Sequence, residues 1–583
     1  MKALAITLQL VVFVSMACEN KSRRSETTAT DTLQATTNTA NERVPVCGAP
    51  TTDKAWYASS QKAPLLNGLE GIHYPITTNR GEAQRYFDQG LMLAYGFNHA
   101  EAARSFYEAT RLDSSCALCY WGYSYVLGPN YNAGMEDDNY VRAYKAIQKA
   151  QRLAEKATPK ERVLIQALAK RYPAKPVTDR KPYDVAYAKA MKQVARQFPN
   201  DADIGALYAE SLMDLHPWDL WQKDGNPQPW TAGIVSTLER MLKQSPKHMG
   251  VHHFYIHAVE ASRHPERGIA SARFLEKRVP GAGHLEHMPS HIYIRTGNYH
   301  EGTVANQRAV SADQNYLKSI HAQGAYPLSY YPHNNHFIVA TATLEGNQSV
   351  AIAAAQQMAR ETDRKVMKEP GWSTLQHYYT QPYYVAIKFG QWNAILRMKD
   401  EDSSLTYPRA VRHFARGMAY LGKNDLKNSR GELTQLVKLA SNPSLKTATV
   451  WTINSMYNLV QIARRVLAGE IAAKEKNYNR SVALLQEAVL LEDKLNYNEP
   501  PDWLFPVRHH LGAVLLEARR WQEATLVFKE DLRILPRNGW ALYGLYKARQ
   551  GQGDSVGANL AKSQFDQAWR WADTKLVSSR FMY

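Results

Sequence analysis

Cysteine is nearly absent from this chain, with four residues in 583, at Cys18, Cys47, Cys116 and Cys119. That excludes a fold stapled by disulfides, and a chain this long can bury a large core without them. It also excludes a structural thiolate zinc site, because Cys116-Ala-Leu-Cys119 offers too few ligands. This CxxC lacks the strand-helix setting of a thioredoxin-like redox pair, so the expectation is a disulfide within Cys47, Cys116 and Cys119. Also missing are an HExxH helix, a GxSxG elbow, a Walker phosphate loop and a dinucleotide fingerprint. Serine-nucleophile and nucleotide chemistry therefore have no support. Acidic residues are in deficit, 54 against 71 basic, for a net charge of +17. The basic residues are spread along helix faces without a basic-aromatic nucleic-acid motif. The charge reads as solvated surface near a membrane, and no nucleic-acid partner is expected.

Long apolar runs are missing too, apart from Ala3 to Ala17, which is too short to span a bilayer as a mature helix. Lys2 precedes this run and Ser15-Met16-Ala17-Cys18 closes it. The segment resembles a bacterial lipoprotein signal, although Ser15 stands where Leu is usual. The small residues at Ser15 and Ala17 also suit ordinary signal cleavage. The resemblance implies a signal peptide over 1–17 and lipidation of Cys18. A Ser/Thr/Asn-rich tether over 18–45 and an N-terminal segment over 46–82 would follow. The expected location is a bacterial envelope, periplasmic or outer-membrane associated.

From residue 83 to 556 the chain reads as one helical hairpin after another, and 557–583 as a C-terminal helix or cap. Gly96-Phe97-Asn98-His99 with Ala102, Phe106 and Ala109 marks one turn and second helix. Gly297-Asn298-Tyr299 with Gly302, Asn306 and Ala309 marks another. Gly346, Gly390, Gly422, Asn477-Tyr478 and Trp521 mark more. These patterns resemble tetratricopeptide repeat (TPR) proteins, whose hairpin is 34 residues long. The implied fold is all-α: a right-handed superhelical solenoid with a concave groove. More narrowly, the chain resembles large exported bacterial TPR proteins. That likeness lies in Cys119-Tyr-Trp-Gly122, Gly283-His-Leu-Glu-His-Met-Pro-Ser-His-Ile-Tyr293 and Glu499-Pro-Pro-Asp-Trp503. It implies fold and location, not chemistry.

Two stretches interrupt the pattern. His216 to Trp230 holds three Trp and three Pro and reads as an inserted loop, either a lid over the groove or a segment packed onto the solenoid. Ala312 to Pro332 exceeds a normal turn and reads as a second long loop.

Twelve of the nineteen histidines lie between His248 and His336. His253 and His257 return 34 residues later as His287 and His291, and His284 and His287 return 49 residues later as His333 and His336. In TPR proteins the second, fifth, ninth and twelfth positions of each first helix face the groove. Aligned by their turns, His253, His257 and Glu260 take positions five, nine and twelve. His284, His287 and His291 take two, five and nine of the next helix. His333 and His336 take two and five of the one after. Histidines four apart share a helix face about 6 Å apart along the axis and can converge on one ion. Imidazole-rich ligation suits Zn, Cu or Fe and disfavours Ca or Mg. His248, His252, His264, His300 and His321 fall off these positions and read as ordinary packed or solvated residues.

Glu260 and Glu210 are the carboxylates suited to general-base work on a metal-bound water. Arg412 and Arg416, with Tyr384 and His377, read as ligand-binding residues for an anion. Two functions compete. One is a metalloprotein, either a metal-dependent hydrolase or an oxidoreductase, with one or two ions among His253, His257, His284, His287, His291, His333 and His336. The other is a scaffold binding a peptide, a protein or a small anionic ligand in the groove without catalysis.

Overall fold

The computed structural model describes residues 54–59, 61–320, 326–399 and 401–582. The expected signal peptide and tether, with Cys18 and Cys47, and also His321, lie outside the described residues. The rest is an all-α array of stacked TPR-like helical hairpins. The only paired strands among the described residues are Thr449–Val450 and Asn454–Ser455, two residues each. No helix among the described residues is long and apolar enough to cross a membrane.

Local chemistry sets the hairpins. Asn98, Asn347, Asn477 and Asp554 each cap the second helix of a hairpin by accepting a backbone N–H three residues on. Gly297 ends the Pro289–Thr296 helix in the left-handed region at φ 74°. A Cβ there would also stand 2.2 Å from the carbonyl oxygen of Pro536, so both conformation and space require glycine. Small residues let helices approach: Phe106 fills the space left by Gly90 and Gly122.

The Gly539–Gly551 and Ser555–Ala568 helices form a full hairpin, and the tail beyond folds back onto the array, where Ser579 donates to the carbonyl of His509 at 2.8 Å. Cys116 and Cys119 pair with each other. The expected loop over 312–332 is corrected where the chain is described, over 312–320 and 326–332. The Tyr299–Ile320 helix runs 22 residues, and a π-helical turn over Tyr326–Tyr330 leads into the Tyr331–Glu345 helix. The extra residues lengthen a second helix because Ala312, Asp313 and Tyr316 continue its buried face.

Buried apolar residues form two large bodies, one from residues 69–293 and one from 294–582. The far end of the chain returns onto the turns of the histidine hairpins. Tyr299 donates to the carbonyl of Pro536 at 2.9 Å, Arg537 to that of Thr296 at 2.7 Å, and Trp540 to that of Thr343 at 2.8 Å. The seam between the two bodies is where the histidines lie.

Candidate metal centre

Three first helices carry the cluster: Met249–Val259, the pair Gly283–His287 and Pro289–Thr296, and Tyr331–Glu345. Donor atoms of His253, His257 and His284 lie within 4.8 Å of one another, and so do those of His287, His291 and His333. His257, Glu260 and His291 form a third such group. Pro289 interrupts the middle helix between His287 and His291, yet their Nε2 atoms stand 2.7 Å apart.

The outer nitrogens are anchored. His253 Nδ1 faces the carbonyl of Tyr95, and His257 Nδ1 faces Glu260 Oε1 at 2.8 Å. His291 Nδ1 faces Glu260 Oε2, and His287 Nδ1 faces Asn306 Oδ1 at 2.6 Å. Asn306 donates through Nδ2 to the carbonyl of Gly302, which fixes its Oδ1 as the acceptor. All four Nδ1 atoms thus meet acceptors and carry the proton, which leaves four Nε2 lone pairs facing inward. Those of His253 and His257 have no partner among the described residues, nor does either nitrogen of His284. At His287 and His291 two lone pairs confront each other, a repulsive contact unless a proton or a cation sits between them.

The histidines themselves are shut off from solvent. His253, His257, His284, His287, His291 and Glu260 are each 2% exposed or less, and His333 is partly buried. Phe97, in the left-handed region at φ 54°, inserts its ring 4.6 Å from His253, 5.8 Å from His257 and 5.7 Å from His284. Tyr330 stands 5.0 Å from His284, and Phe337 stands 4.7 Å from His287. The inserted loop closes one side, with Trp218 stacked on Tyr131 at 5.6 Å and both rings against His257. The tip of that loop reaches the carbonyl of Lys494 through Lys223. The sequence offered the inserted loop as a lid but gave no sign of Phe97 or Phe337 as walls, since a single aromatic residue in a turn or helix gives no direction.

Burial shapes the charges. It pushes His253, His284, His287 and His333 well below the ordinary imidazole range, helped by repulsion from neighbouring imidazoles, so their rings favour the neutral form. Burial works against ionisation of Glu260, but His291 and His257 outweigh it and hold its pKa at about 2. Its two oxygens are already engaged by these imidazoles, so it orients the two rings rather than standing free as a base.

The other predicted residues lie elsewhere. His336 stays out of both three-histidine sets, and its ring is 5.4 Å from that of His377. His377 is bonded to Tyr407 at 2.8 Å, and Tyr407 to Tyr384 at 3.2 Å. Glu210 accepts from Tyr125 beside Asp214, whose carboxylate binds Arg171 at 2.6 Å. Burial first, then repulsion from Asp214, raises its pKa to about 8. A carboxyl that keeps its proton cannot serve as a base at neutral pH. Arg416 does not face an open clamp: Glu432 of the adjoining helix binds it at 2.7 Å, while Arg412 is half-buried beside Tyr383. His248, His252, His264 and His300 pair with Asp203, Ser271, Glu266 and Glu345, outside the cluster.

No family model and no curated protein matches the chain. Among solved structures, the human IFIT1 dimer with m7Gppp-AAAA is 12% identical and covers 86% of this chain and 92% of its own, with a TM-score of 0.30. The APC/C hetero-tetramer Cut9-Hcn1 is 11% identical, covering 86% and 76%, with a TM-score of 0.28. Yeast Tom70 is 10% identical, covering 84% and 92%, with a TM-score of 0.24. Likenesses at these scores carry no argument about function.

Proposed function

We propose that this TPR-like array holds a transition-metal centre, Zn, Cu or Fe, among His253, His257, His284, His287, His291 and His333. One observation carries the reading: four buried imidazoles have Nδ1 fixed on an acceptor and Nε2 aimed inward. Helix packing alone gives no reason to orient them so. The chemistry open to such a centre is hydrolysis by metal-activated water or an oxidative step at Cu or Fe. Export and anchoring through Cys18 belong to the same proposal, and a Cys18→Ser chain that stays with membranes would remove that part.

The test is elemental analysis of purified protein after reconstitution with each metal. At least one equivalent per chain is expected, and His287→Ala should weaken binding sharply. Sub-stoichiometric metal, with no effect of His287→Ala, would sink the reading.

A second reading has its own observation. Leu490, Leu526, Val556 and Leu560, each at least 60% exposed, lie on three successive second helices near the C-terminus. Exposed apolar positions on a repeat array suit a protein- or peptide-binding scaffold. On that reading the protein stays metal-free, and charge substitutions at these leucines abolish partner capture.

A further inference from the structure

Resting on that metal reading, we infer that the cluster holds two ions, one in each three-imidazole set, and that the sets are one site written twice by the repeat. The first set takes positions five and nine of one first helix, His253 and His257, with position two of the next, His284. The second takes five and nine of that next helix, His287 and His291, with position two of the helix after, His333. The same three repeat positions supply both sets. Translation by one hairpin therefore carries the first site onto the second.

One ion cannot use all six imidazoles. With metal–nitrogen bonds of about 2.0–2.1 Å, two donors on the same ion stand at most about 4.2 Å apart. The six do not fall into one mutually close group; only the two trios do. The third group, His257, Glu260 and His291, is the tie between them. Each Glu260 oxygen accepts from one imidazole, His257 in the first set and His291 in the second. Ligation by Glu260 would sacrifice those bonds, so it acts as a shared positioning residue.

Three imidazoles leave each ion an open coordination position. With the cluster sealed by Phe97, Tyr330 and Phe337, that position takes a water-sized ligand: water, hydroxide or dioxygen. Three neutral nitrogens suit copper and zinc above harder ions.

The experiment loads the full chain with Cu(II) and measures copper by elemental analysis and by electron paramagnetic resonance. Two equivalents per chain are expected, with a spin signal well below the copper content because neighbouring ions couple. His284→Ala and His333→Ala should each retain one equivalent and recover a full one-copper signal. One equivalent in the wild type, or two with undiminished signal, overturns the paired site while the metal reading survives. No bound copper, zinc or iron overturns both. The wild-type measurement decides the question even where a variant fails to fold.

Discussion

Replacing Glu260 with Gln is the sharpest probe of how the centre is oriented. The carboxylate accepts from His257 Nδ1 at 2.8 Å and from His291 Nδ1 more closely, and it is 1% exposed. An amide offers one oxygen and one NH2. Its oxygen can keep one imidazole as found, but its NH2 then confronts the N–H of the other. That imidazole relieves the clash by shifting its proton to Nε2, and its inward lone pair is lost.

The two ions should therefore respond unequally. The set whose imidazole keeps its tautomer loses only a charge-assisted contact behind that ring, a loss that costs about 10–100-fold in metal affinity. By the tenfold rule this is roughly 1.4–2.7 kcal/mol. The other set drops from three ligands to two and should weaken more than about 100-fold. Competition titration against a chromophoric chelator would show two steps moving apart. If both steps stay within about threefold of wild type, which is under 1 kcal/mol, Glu260 does not orient the imidazoles and the reasoning fails.

Trp218→Gly should speed metal loss to a chelator with little change in melting temperature, because the lost stacking on Tyr131 (about 0.5–1.5 kcal/mol) is offset by relief of Trp218's positive φ. An unchanged extraction rate would show that this loop is not a gate. Burial first, then the charge of Arg171, lowers His99 to about 4, so it is neutral when folded and takes a proton near 6.5 when unfolded. Its contribution is intact above about 6.5 and drains as pH falls towards about 4. Urea melts of His99→Gln should therefore lose about 2 kcal/mol less than wild type between pH 6.5 and 5, and parallel curves would contradict this. Glu210, raised to about 8, has the opposite sign: its contribution is present below about 4.5 and is lost as pH rises to about 8. Glu210→Gln should gain on wild type by on the order of 1 kcal/mol per pH unit over that range, and a gap that shrinks with rising pH would refute the assignment.

How much of this was legible follows from what repeats encode. Hairpin turns were readable because Gly297, Gly346 and Gly390 adopt the positive φ that a helix stop demands. The histidine positions were readable because a fixed period maps sequence onto one face. Depth was not. Whether a face is open or sealed depends on contacts over long separations, such as Tyr299 with Pro536, which no local pattern records. Nor was the partner of each Nδ1 readable in general. Tyr95 contributes a backbone carbonyl, available at any residue type. Asn306 left a trace, as an amide on the packed face of a helix between Gly302 and Ala309. Arg416 misled because Glu432, on the adjoining helix, was in reach of it.

The repeat rule also accounts for the two histidines that miss the centre. Carried one hairpin further, it selects positions five and nine of the Tyr331–Glu345 helix and position two of the next first helix: His336, Ala340 and His377. Two of the three are histidine, with rings 5.4 Å apart, and Ala340 is buried where the third would stand. Two imidazoles cannot complete the set, and His377 is instead held by Tyr407 and Gln381. Burial takes His377 down to about 3, which suits a neutral hydrogen-bonding ring. A third copy of the motif thus has its frame but lacks one ligand. A histidine cluster placed by packing alone would have no reason to show a frame that recurs by hairpin and stops at one missing side chain.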